Sequence, residues 1–177
     1  MNYSAAVLAK ARTIRLLILD VDGVLTDGRL YYTDTGAEMK AFSTQDGAAI
    51  KMLMDTGVKV AIITGRESTI VARRAAELGI DHVHQRAADK ALALAELATA
   101  SGVSPDNMAH AGDDLPDLTL FNRVALALSV PGAHPIVTAR ADYVTQALPG
   151  AGAVREICQL LMVAHDTWSA ALARYDS

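Results

Sequence analysis

Short runs rich in apolar residues recur over 14–19, 58–63, 108–111 and 124–127, and 81–84 is a plausible further strand. Runs of this length without polar alternation predict strands buried on both faces. Three of them lead straight into polar or glycine-bearing segments: Asp20-Val21-Asp22-Gly23, Thr64-Gly65 and Gly112-Asp113-Asp114. Between the strands, 46–56, 67–78 and 89–101 have helical composition, and each ends at a glycine, Gly57, Gly79 or Gly102. Strand and helix in alternation predict an α/β fold, a doubly wound and mostly parallel sheet with helices on both faces.

One segment breaks that rhythm. Over 29–42, Leu30, Tyr31 and Tyr32 precede Asp34-Thr35-Gly36 and are followed by Met39 and Phe42, the pattern of a small β-hairpin insertion around a turn. Near the C-terminus, Val154, Ile157, Leu161, Ala164, Trp168 and Leu172 recur at spacings of three and four, predicting one amphipathic helix over about 152–173. Neither an internal repeat nor a linker composition divides the chain, so 1–177 is read as a single domain.

Composition narrows the function classes. The 16 Lys and Arg against 20 Asp and Glu give a net charge of -4, without the basic clusters of a nucleic-acid or membrane-surface protein. The one cysteine, Cys158, rules out an intramolecular disulfide and a cysteine-rich zinc site. With no export signal and no apolar run long enough to span a bilayer, the expectation is a cytoplasmic protein with neither a nucleic-acid nor a membrane partner. His82 and His84 alternate on one strand without a third ligand at suitable spacing, so no zinc site is assigned to them.

In open α/β sheets ligands bind beyond the carboxyl ends of the strands, and here those ends carry Asp20, Asp22, Thr64, Asp113 and Asp114. Each pair alone is an ordinary turn or cap. Together they crowd negative charge that calls for a cation, and an all-oxygen ligand set favours Mg²⁺. With a phosphate on that metal, Asp20 is placed to attack phosphorus. Asp22, on the same side of an extended chain, can protonate the leaving alcohol and then activate water. Thr64 can bond a phosphoryl oxygen, and Lys90, at the start of a helix, can neutralise charge on it.

In order and spacing, Asp20-Val21-Asp22-Gly23-Val24-Leu25-Thr26-Asp27, Ile63-Thr64-Gly65-Arg66, Lys90 and Gly112-Asp113-Asp114-Leu115-Pro116-Asp117 resemble the four motifs of the haloacid dehalogenase superfamily of phosphatases. Further matches, among them Ala133-His134-Pro135 and Arg140-Ala141-Asp142-Tyr143-Val144, resemble the branch acting on 3-deoxy-D-manno-octulosonate 8-phosphate in lipopolysaccharide precursor synthesis. The resemblance implies a hydrolytic phosphatase working through an aspartyl-phosphate. Asp20 is then the nucleophile and a Mg²⁺ ligand, Asp22 the general acid/base and a ligand through its carbonyl, and Asp113 the third protein ligand. Thr64 and Lys90 bind the phosphoryl group. Ser43, Thr44, Gln45, Asp46 and Gly47, with Lys51, Arg66 and Arg74, are expected to line the substrate pocket.

The gaps between motifs hold no cap domain, so the resemblance also implies a homotetramer in which hairpins assemble the subunits and a neighbour completes each site. Two positions depart from the branch: Gln45 stands where arginine is common, and Pro149-Gly150-Ala151-Gly152 where a Gly-Gly-basic-Gly segment is usual. Both concern recognition of the sugar acid and neither belongs to the four motifs. Three alternatives stay open: a phosphatase for another sugar-acid phosphate such as a nonulosonate 9-phosphate, a receiver-like domain that takes up phosphate on aspartate, and a non-catalytic tetramerisation module.

Overall fold

A computed structural model describes residues 3–175. The first apolar run forms β1 (Leu16–Leu19), whose four side chains are fully buried. At about 1.5–3 kcal/mol per buried aliphatic side chain, this strand is a principal contributor to the core. β1 pairs in parallel with β4 (Lys59–Ile63) on one side and β6 (Met108–Ala111) on the other. Beyond them lie β5 (His82–His84), β7 (Leu126–Ser129) and β8 (Tyr143–Val144), giving a six-stranded parallel sheet in the order β5-β4-β1-β6-β7-β8. The order reverses around β1, so the carboxyl ends of β1, β4 and β6 converge on one crevice.

The helices cover both faces. α1 (Ala5–Ala11), which the apolar pattern did not signal, is capped by Ser4, whose Oγ accepts from the Val7 amide at 3.2 Å. α2 (Thr44–Asp55) is packed against α7 (Ala153–Ala164) on one face of the sheet; α3 (Thr69–Leu78) and α4 (Lys90–Ser101) are the crossovers that follow β4 and β5. α5 (Leu118–Phe121) and α6 (Pro135–Arg140) are short. Within 29–42, β2 (Tyr31–Tyr32) and β3 (Glu38–Met39) pair antiparallel, with Tyr31 opposite Met39 and Tyr32 opposite Glu38.

Element boundaries shift by one or two residues from the sequence expectation, and two differences have a visible cause. The fourth strand starts two residues later than the apolar run, because the Val124 amide still closes the preceding helix on the Leu120 carbonyl at 3.0 Å. The C-terminal helix expected over 152–173 is two helices, α7 and α8 (Trp168–Ala173). The chain leaves α7 through Asp166 in the left-handed conformation (φ 58°). The Asp166 amide bonds Val163 and the Thr167 amide bonds Met162, the paired reverse bonds that terminate a helix. No helix among the described residues is long and apolar enough to cross a membrane.

Candidate active site

β1 delivers Asp20 to the crevice, with its amide bonded to the Ala111 carbonyl of β6 at 3.0 Å. Its Oδ1 accepts from the Val21 amide at 2.7 Å and its Oδ2 from Lys90 Nζ at 2.8 Å. The chain then closes a tight turn, Thr26 N to Val21 O at 3.0 Å, with Gly23 at φ +88°. A side chain at Gly23 is excluded twice: by the left-handed backbone, and because its Cβ would stand 2.1 Å from Asp113 Oδ2. That missing atom lets the carboxylates from the ends of β1 and β6 lie side by side.

Lys90 begins α4, where Asp89 caps the helix by accepting from the Ala91 and Leu92 amides at 2.9 and 3.1 Å. The Lys90 ammonium is buried between Asp20 Oδ2 and Asp117 Oδ1, the latter at 2.6 Å. Burial alone would lower its pKa, but the two carboxylates outweigh it and hold the ammonium charged. Asp117 is saturated with donors. Oδ1 also meets His110 Nε2 at 2.8 Å, and Oδ2 accepts the Asp113 and Asp114 amides at 3.0 and 3.1 Å. Against the cost of its burial, His110 and Lys90 hold its carboxyl well below the usual range.

Carboxylate oxygens of Asp20, Asp113 and Asp117 lie within 4.8 Å of one another. Because Asp117 already accepts four hydrogen bonds, Asp20 and Asp113 are the carboxylates with capacity for a cation. Asp113 bears the electrostatic cost of the crowding: burial, then the charges of Asp20, Asp117 and Asp114, push its pKa up to about 7. Burial raises Asp20 as well, against the pull of Lys90. Oxygen ligands with this surplus of negative charge fit a hard divalent cation such as Mg²⁺.

At the mouth of the crevice Asp22 is flanked by two cations. Lys40, which follows β3 and has a side chain only 1% exposed, bonds Asp22 Oδ1 and stands 3.5 Å from Glu38 Oε1. Arg66 donates from Nη2 to Glu38 Oε1 at 2.9 Å and places Nε 3.5 Å from Asp22 Oδ2. The four side chains close a ring of alternating charge.

The structure therefore brings Asp20, Asp22, Thr64, Arg66, Lys90 and Asp113 around one cavity of about 420 Å³. The other residues expected at the pocket stand elsewhere in the chain. Ser43 caps α2 through the Asp46 amide at 3.3 Å. Asp46 is buried and accepts from the Arg155 and Gly152 amides at 2.7 and 3.4 Å, joining α2 to the start of α7. Arg74 crosses Gly47 so closely that a Cβ there would lie 2.3 Å from its Nη2, and it stacks on Phe42 at 5.9 Å. Thr44 and Gln45 line a separate groove of about 470 Å³ with Arg155 and Trp168, and Lys51 is exposed on α2.

Sequence reasoning missed Lys40, Glu38 and the donor-saturated role of Asp117. Only the last carried a signal, its place three residues after Asp114 where a capping partner is expected. Cys158 is buried with its thiol pushed up by burial, so it is an inert core residue.

A family model described as haloacid dehalogenase-like hydrolase matches residues 80–157. The 3-deoxy-D-manno-octulosonate 8-phosphate phosphatase KdsC of Escherichia coli K12 is 48% identical over 161 residues, covering 91% of this chain and 86% of that protein. Among solved structures, the 3-deoxy-D-manno-octulosonate 8-phosphate phosphatase of Moraxella catarrhalis, in complex with magnesium ion, phosphate ion and KDO, superposes with a TM-score of 0.95. It is 41% identical, with 98% of this chain and 99% of that one covered. A probable yrbi family phosphatase from Pseudomonas syringae gives a TM-score of 0.96 at 43% identity, covering 98% and 99% of the two chains. Identity of 48% over 91% of the chain and a near-complete structural superposition place the chain among the haloacid dehalogenase-like hydrolases, as a homologue of the 3-deoxy-D-manno-octulosonate 8-phosphate phosphatases.

Proposed function

We propose that this protein is a Mg²⁺-dependent phosphomonoesterase that hydrolyses 3-deoxy-D-manno-octulosonate 8-phosphate to the free sugar acid and phosphate. The observation that carries the reading is the convergence of Asp20, Asp22, Thr64, Lys90 and Asp113 on one cavity, in a chain 48% identical to a phosphatase of that name. Asp20 Oδ attacks phosphorus, the bond to the sugar oxygen breaks, and Asp22 gives that oxygen a proton. Asp22 then takes a proton from water, whose oxygen attacks the phosphorus of the aspartyl-phosphate and regenerates the Asp20 carboxylate. Lys90, held by Asp117, balances charge on the phosphoryl oxygens, and Thr64 bonds one of them. Asp20, Asp113 and the Asp22 carbonyl are the ligands proposed for Mg²⁺, which when bound lowers the repulsion between nucleophile and phosphate.

Arg66 lines this cavity with Lys90, and with Lys90 assigned to the phosphoryl group it is the cation left for a substrate carboxylate. The hairpin supports a homotetramer: Leu30, Tyr32 and Met39 are 45%, 58% and 51% exposed, so they do not pack on the parent sheet. In such an assembly the edge carrying Ser43, Thr44, Gln45 and Lys51 contributes to a pocket across a subunit boundary. A cytoplasmic location fits the single buried thiol. Phosphate release from the octulosonate ester, with and without Mg²⁺, tests the reading. We expect Asp20→Asn to lower turnover at least about a hundredfold while the fold persists. Unchanged release in that variant removes the proposed chemistry, and equal turnover of a nonulosonate 9-phosphate reassigns the substrate.

A further inference from the structure

Two charged side chains of the hairpin segment reach back into the crevice of their own chain. Glu38 lies on β3 and Lys40 follows it, two residues on and therefore on the same side of the extended segment. Glu38 Oε1 accepts from Arg66 Nη2 at 2.9 Å and lies 3.5 Å from Lys40 Nζ, while Lys40 also bonds Asp22 Oδ1. The ring closes where Arg66 Nε stands 3.5 Å from Asp22 Oδ2. A lysine whose side chain is 1% exposed is costly to desolvate unless paired, and here both partners are supplied. Arg66 itself is 44% exposed, and its long side chain has many rotamers open to it. Nη2 is held by Glu38, Nε stands against Asp22, and the Tyr32 side chain also bonds the guanidinium, so the arginine that lines the cavity is restrained from the hairpin side.

We propose that Glu38, braced by Lys40, is a positioning residue for substrate specificity: it fixes the guanidinium of Arg66 so that the arginine receives the carboxylate of the sugar acid. The inference rests on the sugar-acid phosphate reading of the same site. It gives the hairpin a role within its own subunit, separate from any contact its exposed apolar side chains make. Glu38 does not touch the reacting atoms; it acts through Arg66.

The test is steady-state kinetics of the full-length protein with Mg²⁺, on 3-deoxyoctulosonate 8-phosphate and on a pentose 5-phosphate, which has the ester but no carboxylate. Thermal unfolding is recorded alongside. Glu38→Gln keeps the shape and removes the charge that binds Arg66. Its KM for the octulosonate ester is expected to rise about tenfold, the effect of one charge-assisted hydrogen bond, with the loss confined to the carboxylate-bearing ester. Lys40→Met is expected to raise the same KM and, by releasing Asp22, also to lower kcat on both esters, and Lys40→Arg to restore much of both. An equal KM rise on both esters, a rise that follows the loss of thermal stability, or no rise in Glu38→Gln overturns the proposal. A wild-type enzyme that does not prefer the octulosonate ester overturns the substrate reading and this proposal together, whereas a selective wild type with an unaffected Glu38→Gln overturns the proposal alone.

Discussion

Lys90 Nζ lies 2.6 Å from Asp117 Oδ1 and 2.8 Å from Asp20 Oδ2, so the ammonium facing the proposed nucleophile is held in place by a different carboxylate. Asp117 is in turn fixed by His110 and two backbone amides. Replacing it with asparagine removes the negative charge and leaves the buried lysine with one carboxylate partner, Asp20. We expect Asp117→Asn to cost roughly 3–5 kcal/mol of stability, the penalty for breaking a buried pair. Turnover should fall at least about tenfold through misplacement of Lys90. Urea unfolding and phosphate release measure the two effects. A variant as stable and active as the parent would show that Lys90 needs only Asp20.

With Asp113 as a proposed ligand, its crowding is expected to make metal binding depend on pH. Its carboxyl, pushed up to about 7, lies well above the ordinary carboxylate range, so the folded metal-free protein holds a proton that the unfolded chain releases. The contribution to stability is therefore full below about pH 4 and is lost as pH rises through about 7. Mg²⁺ acts in the opposite direction, since it needs the ionised carboxylate. Thermal melts with EDTA should lose this contribution progressively from about pH 4 to just above pH 7, and stabilisation by added Mg²⁺ should be greatest at the upper end of that range. Stabilisation by Mg²⁺ that does not vary with pH would mean that Asp113 is not a ligand.

Gly23 provides a steric check on the same pair of strand ends. A methyl group there meets the Asp113 carboxylate and also forces a left-handed alanine, which costs about 1–2 kcal/mol before any clash. Gly23→Ala should weaken Mg²⁺ binding, read by calorimetric titration, and reduce turnover more than its stability loss explains. Normal Mg²⁺ affinity in this variant would place the cation away from Asp113.

Asp46 sits in the segment expected to line the substrate pocket, yet its carboxylate is spent on the backbone of 152–155. Asp46→Ala leaves two buried amides without an acceptor, so it should destabilise the protein by about 1–3 kcal/mol. Chemical unfolding gives that number. KM for the octulosonate ester at a temperature where the variant stays folded should change less than twofold, and a larger rise would bring Asp46 back to the substrate.

What could be read from the sequence follows from how local each cause is. The strand runs and their polar ends needed only the apolar pattern, and the residues that meet around the cavity were those at strand ends and at the start of α4. The break after α7 escaped because its cause lies in the backbone at Asp166, while apolar spacing continues unaltered through Leu161, Ala164, Trp168 and Leu172. The late start of β7 escaped because Val124 and Ala125 are as apolar as the strand itself. Glu38 and Lys40 are ordinary hairpin charges until the hairpin is folded back over Asp22 and Arg66. That contact depends on the path of some twenty residues and leaves no short-range signature.

The charge inventory of the crevice has a consequence for the order of events. The ring of Asp22, Lys40, Glu38 and Arg66 is neutral within itself. Asp20, Asp113 and Asp117, once ionised, are set against Lys90 and, at Asp117, His110, and Asp114 adds a further carboxylate to the same cavity, so negative charge is in excess in the inner site. A phosphate ester dianion arriving first is repelled by that excess, whereas a divalent cation arriving first cancels it. Electrostatics thus makes metal before ester the expected order of loading.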